Sequence, residues 1–137
     1  MKPIRRLNLL LFSLLIISCT TAENVSQVPE VKFIGETSGK KIQEGQIVTF
    51  HMLYKTLHDQ VLADTKLMGG PVSIIRDDSI WQKSGMFYQA LRQMGEGDSA
   101  NFIIPANNFY TKSGETLPDI LNEDDSLFFQ VKIISIK

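Results

Sequence analysis

The strongest strand pattern in the chain is the stretch LFFQVKIISI, residues 127–136. From Leu127 to Ile133 every second residue is apolar, which is the two-residue period of a β-strand that buries one face. Phe128 and Ile134 add apolar side chains on the opposite face. A strand that is partly covered on both faces belongs near the middle of a sheet. The stretch therefore predicts a central strand.

Weaker versions of the same pattern precede this strand in the sequence. Residues 46–54 and 98–104 alternate between apolar and polar side chains, as half-buried strands do. Residues 31–34, 61–63 and 72–75 are short apolar segments that are bounded by turn-forming residues. These segments predict an antiparallel, curved sheet of about five strands.

One helix is predicted, over residues 86–94. Its apolar residues recur at helical spacing, and Gly95 follows as a stop signal. A helix of two to three turns persists only when it packs against a sheet. Residues 105–125 predict a long loop, and long loops in small domains are often functional. The predicted fold class is α+β, with the sheet wrapped on one short helix.

The first residues predict export and lipidation. Residues 1–18 combine basic residues with an apolar run shorter than the ~20 residues of a membrane-spanning helix, which is typical of a signal peptide. Ile16-Ile17-Ser18-Cys19 resembles the bacterial lipobox, which implies cleavage before Cys19 and a lipid anchor on it. The alternative is an ordinary signal peptide that happens to contain a cysteine. Residues 19–30 then form a flexible tether, and residues 31–137 form the domain.

Composition excludes several classes of function. A chain of 137 residues allows one domain. The net charge of −1 argues against nucleic acid as a partner. A single cysteine excludes an internal disulfide framework and a cysteine-rich zinc site. Because His51 and His58 belong to no metal-binding or catalytic motif, we expect no metal and no histidine acid–base chemistry. We expect the protein to be a monomer.

Four motifs, in order along the chain, resemble those of the FKBP-type peptidyl-prolyl isomerases. They are VTFH at residues 48–51, LHDQVLADT at 57–65, LRQMGEGDSANFIIPA with the following Phe-Tyr pair at 91–110, and LFFQVKII at 127–134. The resemblance covers roughly residues 39–137 and is to lipid-anchored members of a type common in Bacteroidetes-like bacteria. It implies an FKBP-like fold and a prolyl isomerase that acts on unfolded or exported polypeptides.

The resemblance also implies a pocket. Phe87 stands where the family usually has its pocket-floor tryptophan, Tyr110 matches a tyrosine whose hydroxyl bonds the ligand carbonyl, and Asp64 matches a carboxylate at the pocket edge. These three are the expected catalytic residues. The expected substrate-binding residues are Met52, Tyr54, Ala63, Val72, Ile80 and Phe129. The residues alone leave other roles open: Phe87 and Phe129 could simply be core, and Asp64 could cap a turn.

Several positions depart from the family pattern. Met52 occupies a position where the family has tyrosine, while Tyr54 lies two residues further on and would need a register shift or bulge to reach the pocket. Ala63 and Val72 stand where the family has phenylalanine, which implies a wider pocket. Ile80 only approximates the family's residue before the helix. We therefore expect weak or altered isomerase activity and poor binding of macrolide ligands.

The expected chemistry needs no cofactor. Rotation of the prolyl bond opposes a resonance barrier of about 18–20 kcal/mol, but it makes and breaks no covalent bond. A catalyst must bind the twisted amide better than the planar forms, and a dry, apolar pocket favours the twisted amide. Two alternatives remain at this point: a non-catalytic peptide-binding or chaperone lipoprotein, and an envelope structural lipoprotein without a pocket. Thr20, which is not aspartate, favours an outer-membrane location for the anchor.

Overall fold

The computed structural model describes residues 27–137, in which six strands form one antiparallel sheet. The strands are β1 (Lys32–Ile34), β2 (Ile47–Thr56), β3 (Val61–Asp64), β4 (Val72–Ile75), β5 (Ser99–Pro105) and β6 (Ser126–Ile136). Their order across the sheet is β1-β5-β6-β2-β3, and β4 also pairs with β2. The predicted central strand is confirmed, because β6 lies between β5 and β2.

Burial follows the two-residue period of the central strand. In β6 the side chains of Leu127, Phe129, Val131 and Ile133 are at most 2% exposed. We call the face of the sheet that carries these side chains the inner face, and the opposite face the outer face. The inner face is covered by the helices, and the outer face is mostly polar and partly open to solvent.

Three short helices occur within the described residues: α1 (Asp78–Trp81), α2 (Met86–Leu91) and α3 (Ala106–Lys112). The carboxylate of Asp77 begins α1 by accepting a hydrogen bond from the Ser79 N–H at 2.9 Å. Helix α2 ends at Leu91, before the predicted end at Met94, and continues as a turn in which the Met94 N–H donates to the Leu91 carbonyl at 3.0 Å.

Gly95 is not the helix stop that the sequence suggests. Its φ lies outside the left-handed range, so no helix-ending glycine conformation is present. Instead, a Cβ at this position would collide with the carbonyl oxygen of Lys40, and Lys41 pairs with Gly95 in an isolated β-bridge. Close approach of two backbones therefore explains the glycine.

The prediction of a long loop over residues 105–125 is wrong in part, because α3 lies inside it. The structure has six strands and three helices, where the sequence predicted about five strands and one helix. The predicted α+β class is confirmed. Helix α3 is missed because Asn107 and Asn108 are weak helix formers. Asn108 compensates through a tertiary contact, since its Oδ1 accepts a hydrogen bond from the Met86 N–H at 3.0 Å.

The core joins the inner face to the helices. Trp81, at 2% exposure, is a core residue that packs on Tyr88 with ring centroids 5.2 Å apart. Within residues 27–137, no helix is both long and apolar enough to cross a membrane. The predictions of a signal peptide over residues 1–18 and of lipid on Cys19 lie outside the described residues, as does most of the predicted tether.

Candidate active site

The inner face brings two predicted site residues together. Tyr54 of β2 is paired in register with Phe129 of β6, so both side chains lie on the same face. Their rings stack at a centroid distance of 5.1 Å and an interplanar angle of 25°. The irregularities of β2 fall between Thr49 and Phe50 and between Tyr54 and Lys55. Tyr54 therefore reaches the inner face at the end of the regular segment that follows the first bulge.

Helix α2 adds Phe87 to this pair. The ring centroid of Phe87 lies 5.4 Å from that of Phe129 and 6.0 Å from that of Phe50. Phe87 is 7% exposed and Phe129 is fully buried. Phe87, the predicted pocket floor, and Phe129, a predicted substrate-binding residue, are thus in contact with each other, and both also belong to the hydrophobic core.

Helix α3 supplies Tyr110 and a residue that the sequence did not single out, Phe109. The ring centroid of Phe109 lies 5.0 Å from Phe129, 5.2 Å from Tyr54, 5.8 Å from Phe87 and 5.2 Å from Tyr110. We call Tyr54, Phe87, Tyr110 and Phe129 the aromatic cage, with Phe109 at its centre. The signal that could have found Phe109 is its position beside Tyr110 in the family motif.

The phenol of Tyr110 is held in its neutral form. The side chain is 6% exposed, and this burial raises the pKa of Tyr110 well above the ordinary value near 10. The neighbouring phenol of Tyr54 and the charge of Glu115 raise the pKa further. A neutral phenol keeps its proton, so Tyr110 can donate a hydrogen bond to a carbonyl oxygen inside an apolar site.

Asp64 is not brought to the cage. It pairs in register with Leu53, on the outer face, where it lines a groove of about 250 Å³ together with His51 and Lys132. Its Oδ1 accepts a hydrogen bond from the Lys66 N–H at 3.0 Å. This geometry fits the turn-capping alternative, because the carboxylate satisfies a backbone donor of the turn that follows β3.

The remaining predicted residues lie at different distances from the cage. Met52 shares the inner face with Tyr54, and Ala63 is the register partner of Tyr54. Val72 pairs with Phe50 and packs partly against the core. Ile80, on α1, is 58% exposed. Among residues 27–137, no group of three or more His, Cys, Asp or Glu side chains is placed to hold a metal ion.

The arrangement defines a class of protein: an α+β domain with an apolar aromatic site beside one buried hydrogen-bond donor. A family model for FKBP-type peptidyl-prolyl cis-trans isomerase matches residues 38–134. The chain therefore belongs to the FKBP-type peptidyl-prolyl cis-trans isomerase family, and this membership supports a prolyl isomerase role. No curated protein sequence matches the chain significantly.

Solved structures share the fold. The crystal structure of FkpA from Escherichia coli matches with a TM-score of 0.60 at 14% identity, over 85% of this chain and 53% of FkpA. A peptidyl-prolyl cis-trans isomerase from Pseudomonas syringae matches with a TM-score of 0.58 at 17% identity, over 78% of this chain and 74% of the other. This chain thus spans about half the length of FkpA. At these identities the likeness concerns the fold alone.

Proposed function

We propose that this protein is a prolyl isomerase that acts on exported polypeptides at the bacterial envelope, with weakened or altered activity. The observation that carries the proposal is the aromatic cage, because four aromatic side chains from two strands and two helices surround one ring-sized position, which Phe109 occupies. Uncatalysed prolyl isomerisation takes tens to hundreds of seconds, so a catalyst at the site of folding is useful.

The proposed catalysis is preferential binding of the twisted amide. Twisting removes resonance between the prolyl nitrogen and the carbonyl and reduces charge separation, so apolar walls such as Phe87 and Phe129 favour it over the planar forms. The neutral phenol of Tyr110 donates to a carbonyl of the bound peptide and fixes its orientation. These roles need no covalent intermediate.

The proposed location depends on the N-terminal sequence. Residues 1–18 act as a signal peptide, and Cys19 carries the lipid that holds the domain at the membrane. Thr20 at the following position favours the outer membrane. The substrates are then proline-containing polypeptides that are still unfolded after export.

Protease-free exchange NMR on a prolyl tetrapeptide tests the activity. We expect the full-length chain, purified in mild detergent, to accelerate cis–trans exchange. Tyr110→Phe should lower kcat/KM about tenfold, because loss of one buried hydrogen bond of about 1.4 kcal/mol corresponds to that factor. Tyr88→Phe, which keeps the ring packed on Trp81 and Phe87, is the matched control and should leave kcat/KM near wild type. No acceleration at micromolar protein would reject the proposal.

A second candidate is a non-catalytic peptide-binding lipoprotein. Two observations favour it: Phe109 fills the centre of the cage, and the Asp64 carboxylate is engaged at its own turn. Binding of an unfolded polypeptide that is unchanged when every proline is replaced, together with no exchange activity, would support this candidate. Binding that requires a prolyl residue would count against it.

A further inference from the structure

Phe109 occupies the space that a substrate ring would need. Its ring lies within 5.0 to 5.8 Å, centroid to centroid, of all four cage residues. Its interplanar angles to these rings are between 62° and 76°, the edge-to-face arrangement in which aromatic rings attract each other. The cage is therefore already filled by a ring of the same chain.

Phe109 and Tyr54 are the two rings of this cluster that are partly exposed to solvent. Phe87 is 7% exposed, Tyr110 is 6% exposed and Phe129 is fully buried, whereas Phe109 is only partly buried. Protein interiors are close-packed, so a prolyl ring cannot enter beside a phenyl ring that already fills the space. We propose that Phe109 is a specificity-determining residue that holds the prolyl position in the free protein and must leave it before a substrate binds. This inference rests on the proposed function.

The backbone that carries Phe109 is fixed. Asn108 accepts a hydrogen bond from the Met86 N–H, and a Cβ at Gly85 would lie 2.8 Å from the Cβ of Lys112, so α3 lies directly against the beginning of α2. Displacement of the helix would break these contacts. Rotation about the Phe109 side-chain bonds leaves both contacts in place, so we expect the ring to leave by a change of rotamer.

The presence of the Phe109 ring in the cage lowers the apparent affinity for substrate. The aromatic contacts of Phe109 favour the filled state, so the open state is a minor fraction of the molecules. The apparent affinity for a ligand falls in proportion to that fraction. A smaller side chain at position 109 should therefore strengthen binding, which is the reverse of what removal of an ordinary contact residue does.

The experiment is a titration of the full-length chain with N-acetyl-prolinamide, followed by NMR of the Tyr54 and Tyr110 ring signals. We expect Phe109→Ala and the milder Phe109→Leu to lower the apparent Kd at least about tenfold. Phe128→Ala is the matched control: Phe128 is a partly exposed phenylalanine on the outer face, and its replacement should leave the Kd unchanged. Circular dichroism confirms that each variant is folded.

A measurement on the wild-type chain avoids the variants altogether. At saturating prolyl peptide, nuclear Overhauser effects between the rings of Phe109 and Phe129 should disappear, because Phe109 has left the cage. If they persist while the peptide is bound, or if a folded Phe109→Leu binds no tighter than wild type, the inference is overturned.

The outcomes separate this inference from the proposed function. Wild-type isomerase activity with no gain in binding for the Phe109 variants would overturn the inference and leave the function standing. If the Phe109 variants bind the prolyl ligand more tightly but neither they nor the wild type show isomerase activity, the inference about Phe109 is supported and the proposed catalysis is rejected. If the wild type and every folded variant fail both to bind the prolyl ligand and to catalyse exchange, the inference about Phe109 and the proposed function are both rejected.

Discussion

The Oδ1 atom of Asn108 accepts a hydrogen bond from the Met86 N–H at 3.0 Å. Gly85, which precedes Met86, has no side chain to satisfy the first donors of α2. The bond thus caps one helix from another, and it fixes the helix that carries Phe109 and Tyr110 against the helix that carries Phe87. This bond is one of the contacts that hold Phe109 and Tyr110 beside Phe87, together with the approach of Lys112 to Gly85.

Asn108→Ala should destabilise the fold by about 1 kcal/mol, because it leaves the Met86 N–H without its partner. Urea unfolding measures the loss. Asn107→Ala is the control, since the Asn107 side chain bonds only the exposed Thr111 hydroxyl within α3. Equal losses for the two variants would show that the cap between the helices contributes nothing.

Substitutions at Asp64 distinguish its two candidate roles. Asp64→Asn keeps an oxygen that can accept the Lys66 N–H but removes the charge, whereas Asp64→Ala removes both. If Asp64 caps the turn, Asp64→Ala lowers the free energy of unfolding by about 1 kcal/mol, whereas Asp64→Asn leaves it near the wild-type value. Neither variant should change kcat/KM much. A loss of kcat/KM in a stable Asp64→Asn would instead assign the carboxylate a role in catalysis.

Tyr110 should make the fold sensitive to alkali. Its pKa in the folded state lies above that in the unfolded chain, where it is about 10. The stability linked to this group is therefore complete below pH ~10 and is lost as the pH rises above it, because the unfolded chain releases the proton first. Thermal unfolding between pH 8 and 11 should show this decline, and Tyr110→Phe should reduce it. The same slope in wild type and Tyr110→Phe would contradict the assignment.

Cys19 should carry the lipid that locates the protein. Because it is the only cysteine, Cys19→Ser leaves no thiol for thioether-linked lipid. We expect labelled palmitate to be incorporated into the wild type and not into Cys19→Ser, and the wild type to fractionate with membranes. Thr20→Ser is the neighbouring control and should keep the label. Equal labelling of wild type and Cys19→Ser would contradict the anchor.

The sequence predicts the sheet well because one-sided burial imposes a physical period. In β6 and β5 the alternation of apolar residues follows directly from the need to cover the inner face, and the predicted strands there agree with the structure to within one or two residues. Phe87 and Phe129 could be placed on inward-facing positions for the same reason. Periodicity directs these two side chains toward the core, whereas the prediction that both line one pocket came from the family resemblance.

The rest of the site depends on contacts that no local pattern encodes. Helix α3 contains two asparagines and persists through its bond to Met86, so its helical form follows from the tertiary fold. Phe109 enters the cage only because that helix exists. Asp64 lies one residue beyond the inner-facing Ala63, and alternation sends it to the outer face.

The most direct test of the account is the location of a bound prolyl ring. Intermolecular nuclear Overhauser effects between the pyrrolidine protons of a prolyl peptide and the protein can be measured on the full-length chain. If prolyl peptides bind in the aromatic cage, these protons contact the rings of Tyr54, Tyr110 and Phe129. Contacts to the outer-face groove beside His51 and Lys132 in their place would contradict the account.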